Sequence, residues 1–150
     1  MIKRLFLLPM VLCLASVALA QTTSESTELV SGQAIEHPLA GGQDQNYKIT
    51  LTANQFVRLR LDQKTLDATL ILVAPDGKRT TEVNLTGAGE QETLALEAAT
   101  GTFDLTVRGI GNPKMVGSYR LEMTIQPAAS ETDRKYLTAQ NLLLEAQDLA

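Results

Sequence analysis

From Glu28 to Gln126 the chain alternates short apolar-polar runs with turn residues, at intervals of roughly 8–14 residues, the spacing of an all-β sandwich or barrel. In Tyr47-Lys48-Ile49-Thr50-Leu51 the apolar residues face one side, with Lys48 and Thr50 on the other. After a break at Ala53-Asn54 the period repeats: Val57, Leu59 and Leu61 share a face, and Arg58 and Arg60 lie opposite beside Phe56. Helical spacing fits neither run. An earlier run, Ala34 to Leu39, contains Pro38, which cannot donate to a ladder, so this strand lies at an edge or ends there. Leu66 to Ala74 is the most apolar stretch and reads as a central strand, buried on both faces for part of its length. Pro75-Asp76-Gly77-Lys78 is a turn, because Pro presets φ and Gly accepts a positive one. Thr80 to Leu85 is its hairpin partner. Thr93 to Glu97, Thr102 to Arg108 and Ser118 to Ile125 complete about eight strands, and two sheets packed face to face bury such stripes most simply.

The period changes at Pro127. Pro127-Ala128-Ala129 is a short linker, and Ser130 with Asp133 three residues on forms a capping box. Tyr136, Ala139, Leu143 and Ala146 follow at helical spacing, widened by Leu142 and Leu149. This stripe is the candidate contact surface. It packs on the sandwich edge or on a further helix, or it serves as a partner-binding or self-association surface.

The N-terminus has the layout of an export signal. Lys3 and Arg4 precede an apolar run from Leu5 to Val17, and Ala18-Leu19-Ala20 is a small-x-small cleavage site. The apolar run is too short to span a bilayer and is interrupted by Pro9. Cys13 does not make a lipoprotein signal, since Leu12 stands where a small residue is needed. Cleavage leaves 130 residues from Gln21. It removes Lys3 and Arg4, so 13 basic residues become 11 against 17 acidic ones, and the net charge goes from −4 to −6. The domains expected are a signal peptide (1–20), a flexible lead-in (21–27), a β-sandwich (28–126) and a linker with an amphipathic helix (127–150). The localisation expected is periplasmic or secreted, with no membrane insertion after cleavage.

Charge and composition narrow the chemistry. An acidic chain without a Lys/Arg stripe has no electrostatic footprint for nucleic acid. Cys13 is the only cysteine and leaves with the signal, so the mature chain has no disulfide and no thiolate nucleophile. His37 is the only histidine, too few for a zinc site. Ser31 is near it in sequence, but no G-x-S-x-G elbow exists. Glu92 and Glu97 fall on opposite faces of one strand, so they do not form a carboxylate pair. Asp62 and Asp67 flank a loop. Gly109-Ile110-Gly111-Asn112 lies between strands and reads as a turn, and the sequon Asn84-Leu85-Thr86 falls on a predicted strand. Lys48 with Arg58 and Arg60 is expected to form a small basic patch on one sheet face.

The β region resembles the bacterial pre-peptidase C-terminal domain family, a jelly-roll-like β-sandwich. Leu66 to Gly77, with its acidic-then-apolar strand and Pro-Asp-Gly turn, carries the resemblance. So do Gly101-Thr102-Phe103-Asp104-Leu105-Thr106-Val107-Arg108 and Gly117-Ser118-Tyr119-Arg120-Leu121-Glu122-Met123. Exported proteins of similar layout continue into tetratricopeptide-type repeats, sometimes followed by a caspase-like peptidase domain. Ala139 to Ala146 looks like the first helix of such an array. Some members of the family bind calcium through acidic loops. Here Ala74 stands before Pro75 where many relatives carry Asp, and Asp76 lacks neighbouring carboxylates, so no cofactor is expected, with calcium as the alternative. The function expected is an exported, non-catalytic binding module that recognises a protein or glycan at the cell envelope. The alternative is a structural cap or spacer of a longer repeat protein.

Overall fold

The computed structural model describes residues 26–147 and 149. The signal read at 1–20 lies outside them. The nine strands are β1 (Thr27–Glu28), β2 (Ala34–Ala40), β3 (Asp44–Leu51), β4 (Phe56–Gln63), β5 (Ala68–Val73), β6 (Thr80–Val83), β7 (Gln91–Glu97), β8 (Gly101–Gly109) and β9 (Val116–Gln126), followed by helix α1 (Glu131–Gln147). They form a five-stranded sheet, β1-β3-β8-β5-β6, facing a four-stranded sheet, β2-β9-β4-β7. The all-β sandwich with one C-terminal helix is therefore present.

The strand beyond the expected eight is β1, which pairs parallel with β3 at Thr27 and Glu28. Two residues show no periodicity, which is why the pattern did not reveal it. The expected return strand also ends early, at Val83, leaving Asn84 and Leu85 in a loop. There the Asn84 backbone carbonyl accepts from Gln147 Nε2 (3.1 Å).

The alternating residues face as the pattern implied. Val57, Leu59 and Leu61 of β4, Ile49 and Leu51 of β3, and Phe103, Leu105 and Val107 of β8 all enter one core between the sheets. Burial on both faces of β5 is real over Ala68, Thr69 and Leu70. Near one edge the hydroxyls of Tyr47 (β3) and Tyr119 (β9) hydrogen-bond across the core. Burial pushes both phenols above their usual range; the Tyr119 hydroxyl opposes the rise at Tyr47, while that of Tyr47 adds to it at Tyr119.

The sequence motifs that carry the family resemblance meet in space. A Cβ on Gly101 would lie 2.7 Å from the ring of Pro75, and one on Gly117 would lie 2.8 Å from Leu66 N. Gly101 has φ +140°, a backbone region closed to most side chains. Asp76 accepts from Lys78 N–H (3.0 Å) and closes its own turn. These residues therefore build junctions of the sandwich.

Helix α1 opens on the expected capping box. Asp133 N–H donates to Ser130 Oγ (3.2 Å), and Ser130 N–H (3.0 Å) and Oγ (2.7 Å) donate to Asp133 Oδ2. Those bonds, with Arg58 nearby, hold the Asp133 carboxyl below its usual range. The helix docks on the sandwich, but through a different face from the Tyr136/Ala139/Leu143/Ala146 stripe. The docked side is Asp133, Leu137, Gln140 and Leu144. Leu137 covers Phe56, Ala95 and Ala129, and Leu144 reaches the main core. The deciding contact is polar. Ala95 N–H donates to Gln140 Oε1 (2.8 Å), and Gln140 Nε2 donates to Ala95 O (2.9 Å). One side-chain amide thus pairs both backbone groups at the free edge of β7, in the way a neighbouring strand would.

Candidate functional site

Because Gln140 and Leu137 face the sandwich, the 3.6-residue turn of the helix points the predicted stripe outward. Tyr136 is 37% exposed, Leu143 56% and Leu142 62%, and Ala139 and Ala146 are exposed beside them. Four of these five residues are aliphatic, and they sit on a helix that cannot roll. Its start is fixed by the capping box and by Arg58 Nη2 on Asp133 Oδ1 (3.1 Å), its middle by Gln140, and its end by Gln147 Nε2 on Asn84 O (3.1 Å). The Arg58 guanidinium also lies 5.5 Å from the Phe56 ring centre and 5.3 Å from that of Tyr136, so it glues helix to sheet.

That role removes Arg58 from the expected basic patch, and the patch itself does not form. Lys48 is on the five-stranded sheet and Arg58 and Arg60 are on the other. Alternation within a strand fixes which way its side chains face, but it does not say which strands share a sheet. Each cation also has a carboxylate: Lys48 pairs with Asp104 (2.9 Å), and Arg60 pairs with Glu122 (3.2 Å) and Asp62 (3.7 Å). Arg120 bridges the same two acids, at 3.1 Å to Glu122 and 3.5 Å to Asp62. Asp62 is thus held in an ion-pair network.

The remaining candidates are not assembled into a reactive centre. His37 lies exposed on edge strand β2, its ring 6.3 Å from that of Tyr119. Ser31 Oγ accepts from Ile125 N–H (3.0 Å) instead of meeting the histidine. Glu92 is buried, receiving Thr86 N–H and Thr86 Oγ1 (2.8 Å), whereas Glu97 is exposed and faces Arg134 at 3.6 Å. They do lie on opposite faces of β7. Among the described residues no group of three or more His, Cys, Asp or Glu side chains is placed to hold a metal ion.

A feature that sequence reasoning missed is the gap between the sheets on the α1 side. A cavity of about 310 Å³ opens there, lined by Leu72, Leu94, Phe103 and Leu137, with Arg79 and Asn141 among its polar residues. It exists because β6 and β7 end their sheets on the same side of the sandwich and α1 covers only part of the space between them. Nothing local in the sequence marks such a gap.

No family model matches this sequence, and no curated protein is similar to it in sequence. The fold, however, is shared with solved structures. The pre-peptidase C-terminal domain of a Bacillus anthracis collagenase is similar with a TM-score of 0.55 at 15% identity, over 67% of this chain and 96% of that one. PliG of Salmonella Typhimurium, a periplasmic inhibitor of g-type lysozyme, is similar with a TM-score of 0.50 at 18% identity, over 68% of this chain and 99% of that one. The fold is thus a two-sheet β-sandwich similar to that of the collagenase pre-peptidase C-terminal domain, with a helix fastened to one edge.

Proposed function

We infer that this protein is an exported, non-catalytic binding module that recognises a partner at the cell envelope through its surface, without a cofactor. The observation that carries this reading is the exposed apolar face of α1 on a helix locked to the sandwich by polar contacts at three points. Rigid aliphatic side chains held in water favour a protein partner over a glycan, which aromatic platforms suit better, and the Tyr136 ring is already engaged by Arg58. The residues assigned to the contact are Tyr136, Ala139, Leu143 and Ala146. Export rests on the leader at 1–20; among the described residues no helix is long and apolar enough to cross a membrane. PliG, of similar fold, is a periplasmic protein that inhibits another protein.

Site-specific photo-crosslinking from position 143 in the host's envelope fraction tests the reading. A discrete adduct that disappears with Leu142→Glu supports it; adducts indifferent to that change, or equal from a position on the opposite sheet, refute it. Retention on a glycan array that is unaffected by changes on α1 would move the contact to a sugar and to another surface.

The second reading is a structural cap or spacer of a tetratricopeptide-repeat protein, and the same face supports it. Ala139, Leu142, Ala146 and Leu149 recur at the three-four spacing that a following helix would cover. The mass of the native protein separates the two. A species of about 14 kDa, the leader-free chain, supports a free-standing module, and a much larger one supports the cap.

A further inference from the structure

The two sheet edges on the α1 side are treated differently. The edge of β7 is occupied by Gln140, whereas β6 has only β5 as a neighbour. Ala74 N–H donates to Arg79 O (2.9 Å), and Leu72 pairs with Thr81 and Leu70 with Val83. Antiparallel alternation therefore turns the backbone groups of Arg79, Thr81 and Val83 toward β5 and those of Thr80 and Glu82 outward. Among the described residues nothing pairs with that outward set.

A groove of about 410 Å³ runs beside this edge, with Thr80, Thr81 and Glu82 on one wall and Asn141, Leu144 and Glu145 on the other. It shares Thr81 and Asn141 with the 310 Å³ cavity, so an open strand edge, a groove and an apolar hole adjoin one another. The electrostatics have a sign. Glu82 and Glu145 flank the groove, and neither forms an ion pair among the described residues. Arg108, the basic group whose field reaches Glu82, is itself held by Asp44 at 2.8 Å. Arg79 stands at the turn end of β6, within the field that acts on Asp76.

We propose that β6 is a strand-addition site: an extended peptide segment of alternating basic and apolar residues pairs with Thr80 and Glu82. It sets one apolar side chain into the cavity at Leu72, Leu94 and Phe103 and its basic side chains beside Glu82 and Glu145. Main-chain bonds supply the attachment, and the hole and the two carboxylates supply the selection. This surface is distinct from the outer face of α1, so the two sites stand or fall separately.

The test is an NMR titration of the leader-free protein with an acetylated, amidated seven-residue peptide alternating lysine and leucine. The expected result is perturbation and slowed exchange of the Thr80 and Glu82 amides. Binding should weaken at least tenfold when the three central peptide amides are N-methylated, and also when glutamate replaces lysine. Thr80→Pro removes an outward N–H without touching the β5 ladder and should weaken binding to a similar degree. Ala74→Phe, which fills the cavity, should do the same. Equal binding by the N-methylated peptide, perturbations confined to Leu142 and Leu143, or no perturbation at all would each overturn the proposal. The N-methylated peptide gives this answer on the unaltered protein, whatever Thr80→Pro does to folding.

Discussion

Gln140→Leu is the substitution most sensitive to how the helix is attached. If α1 were held by apolar contact, leucine at this buried position would be neutral or stabilising. The geometry says otherwise. Gln140 makes two hydrogen bonds, 2.8 and 2.9 Å long, to the N–H and C=O of Ala95 at a site closed to water. Leucine strands both groups at about 1–3 kcal/mol each and recovers part of that through its own burial, a net loss of about 2–4 kcal/mol. At roughly 4 °C per kcal/mol for a domain of this size, the melting temperature falls by roughly 8–16 °C. Gln140→Ala should cost less, about 1–2 kcal/mol, because the adjoining cavity lets water reach Ala95 once the side chain is gone. Gln140→Glu adds a sign. The introduced carboxylate accepts from Ala95 N–H but has no proton for Ala95 O, so its folded-state pKa rises above the usual value. The variant therefore recovers stability as pH falls through that pKa and loses it as pH rises. Thermal melts by circular dichroism, with hydrogen exchange read at the Ala95 amide, measure all three. A leucine variant as stable as the parent, or an unchanged Ala95 exchange rate, would refute the edge-sealing account.

Four further outcomes follow from the same structure. Ser130→Ala removes the N-cap and should cost about 1 kcal/mol, seen as fraying of α1 before the sandwich melts. Asp133 has a depressed pKa, so its stabilising contribution is present above about pH 4 and is lost as pH falls through the folded value; acid should loosen α1 while the sheets persist, and Asp133→Asn should abolish that early step. Tyr47 and Tyr119 have raised pKa values, so their contribution is complete below about pH 10 and fades above it; their tyrosinate absorbance should appear only together with alkaline unfolding. Gly109→Ala drives a Cβ into the Ala40 carbonyl oxygen and should destabilise by several times the cost of Arg108→Ala, which breaks only the solvent-screened pair with Asp44; urea melts rank the two.

What the sequence determined by itself was local and periodic. Alternation over residues such as Tyr47, Ile49 and Leu51 specifies strands and their buried faces, because side chains leave a strand on opposite sides. Ser130 and Asp133 mark the helix start, because a cap acts within one turn. The glycine and proline motifs were legible as sequence, and the structure supplies their cause: Gly101 meets Pro75 and Gly117 meets Leu66. Tertiary structure decided what depends on distant partners. Lys48 and Arg58 look alike on paper but belong to different sheets, since sheet order follows from chain crossings that no strand encodes alone. The orientation of α1 is the clearest case. Its apolar residues are spread widely enough to offer more than one face, and hydrophobicity pointed to Tyr136, Ala139, Leu143 and Ala146. The chosen face carries Leu137, Gln140 and Leu144 instead, because the open edge at Ala95 needed a donor and an acceptor together, and Gln140 provides both.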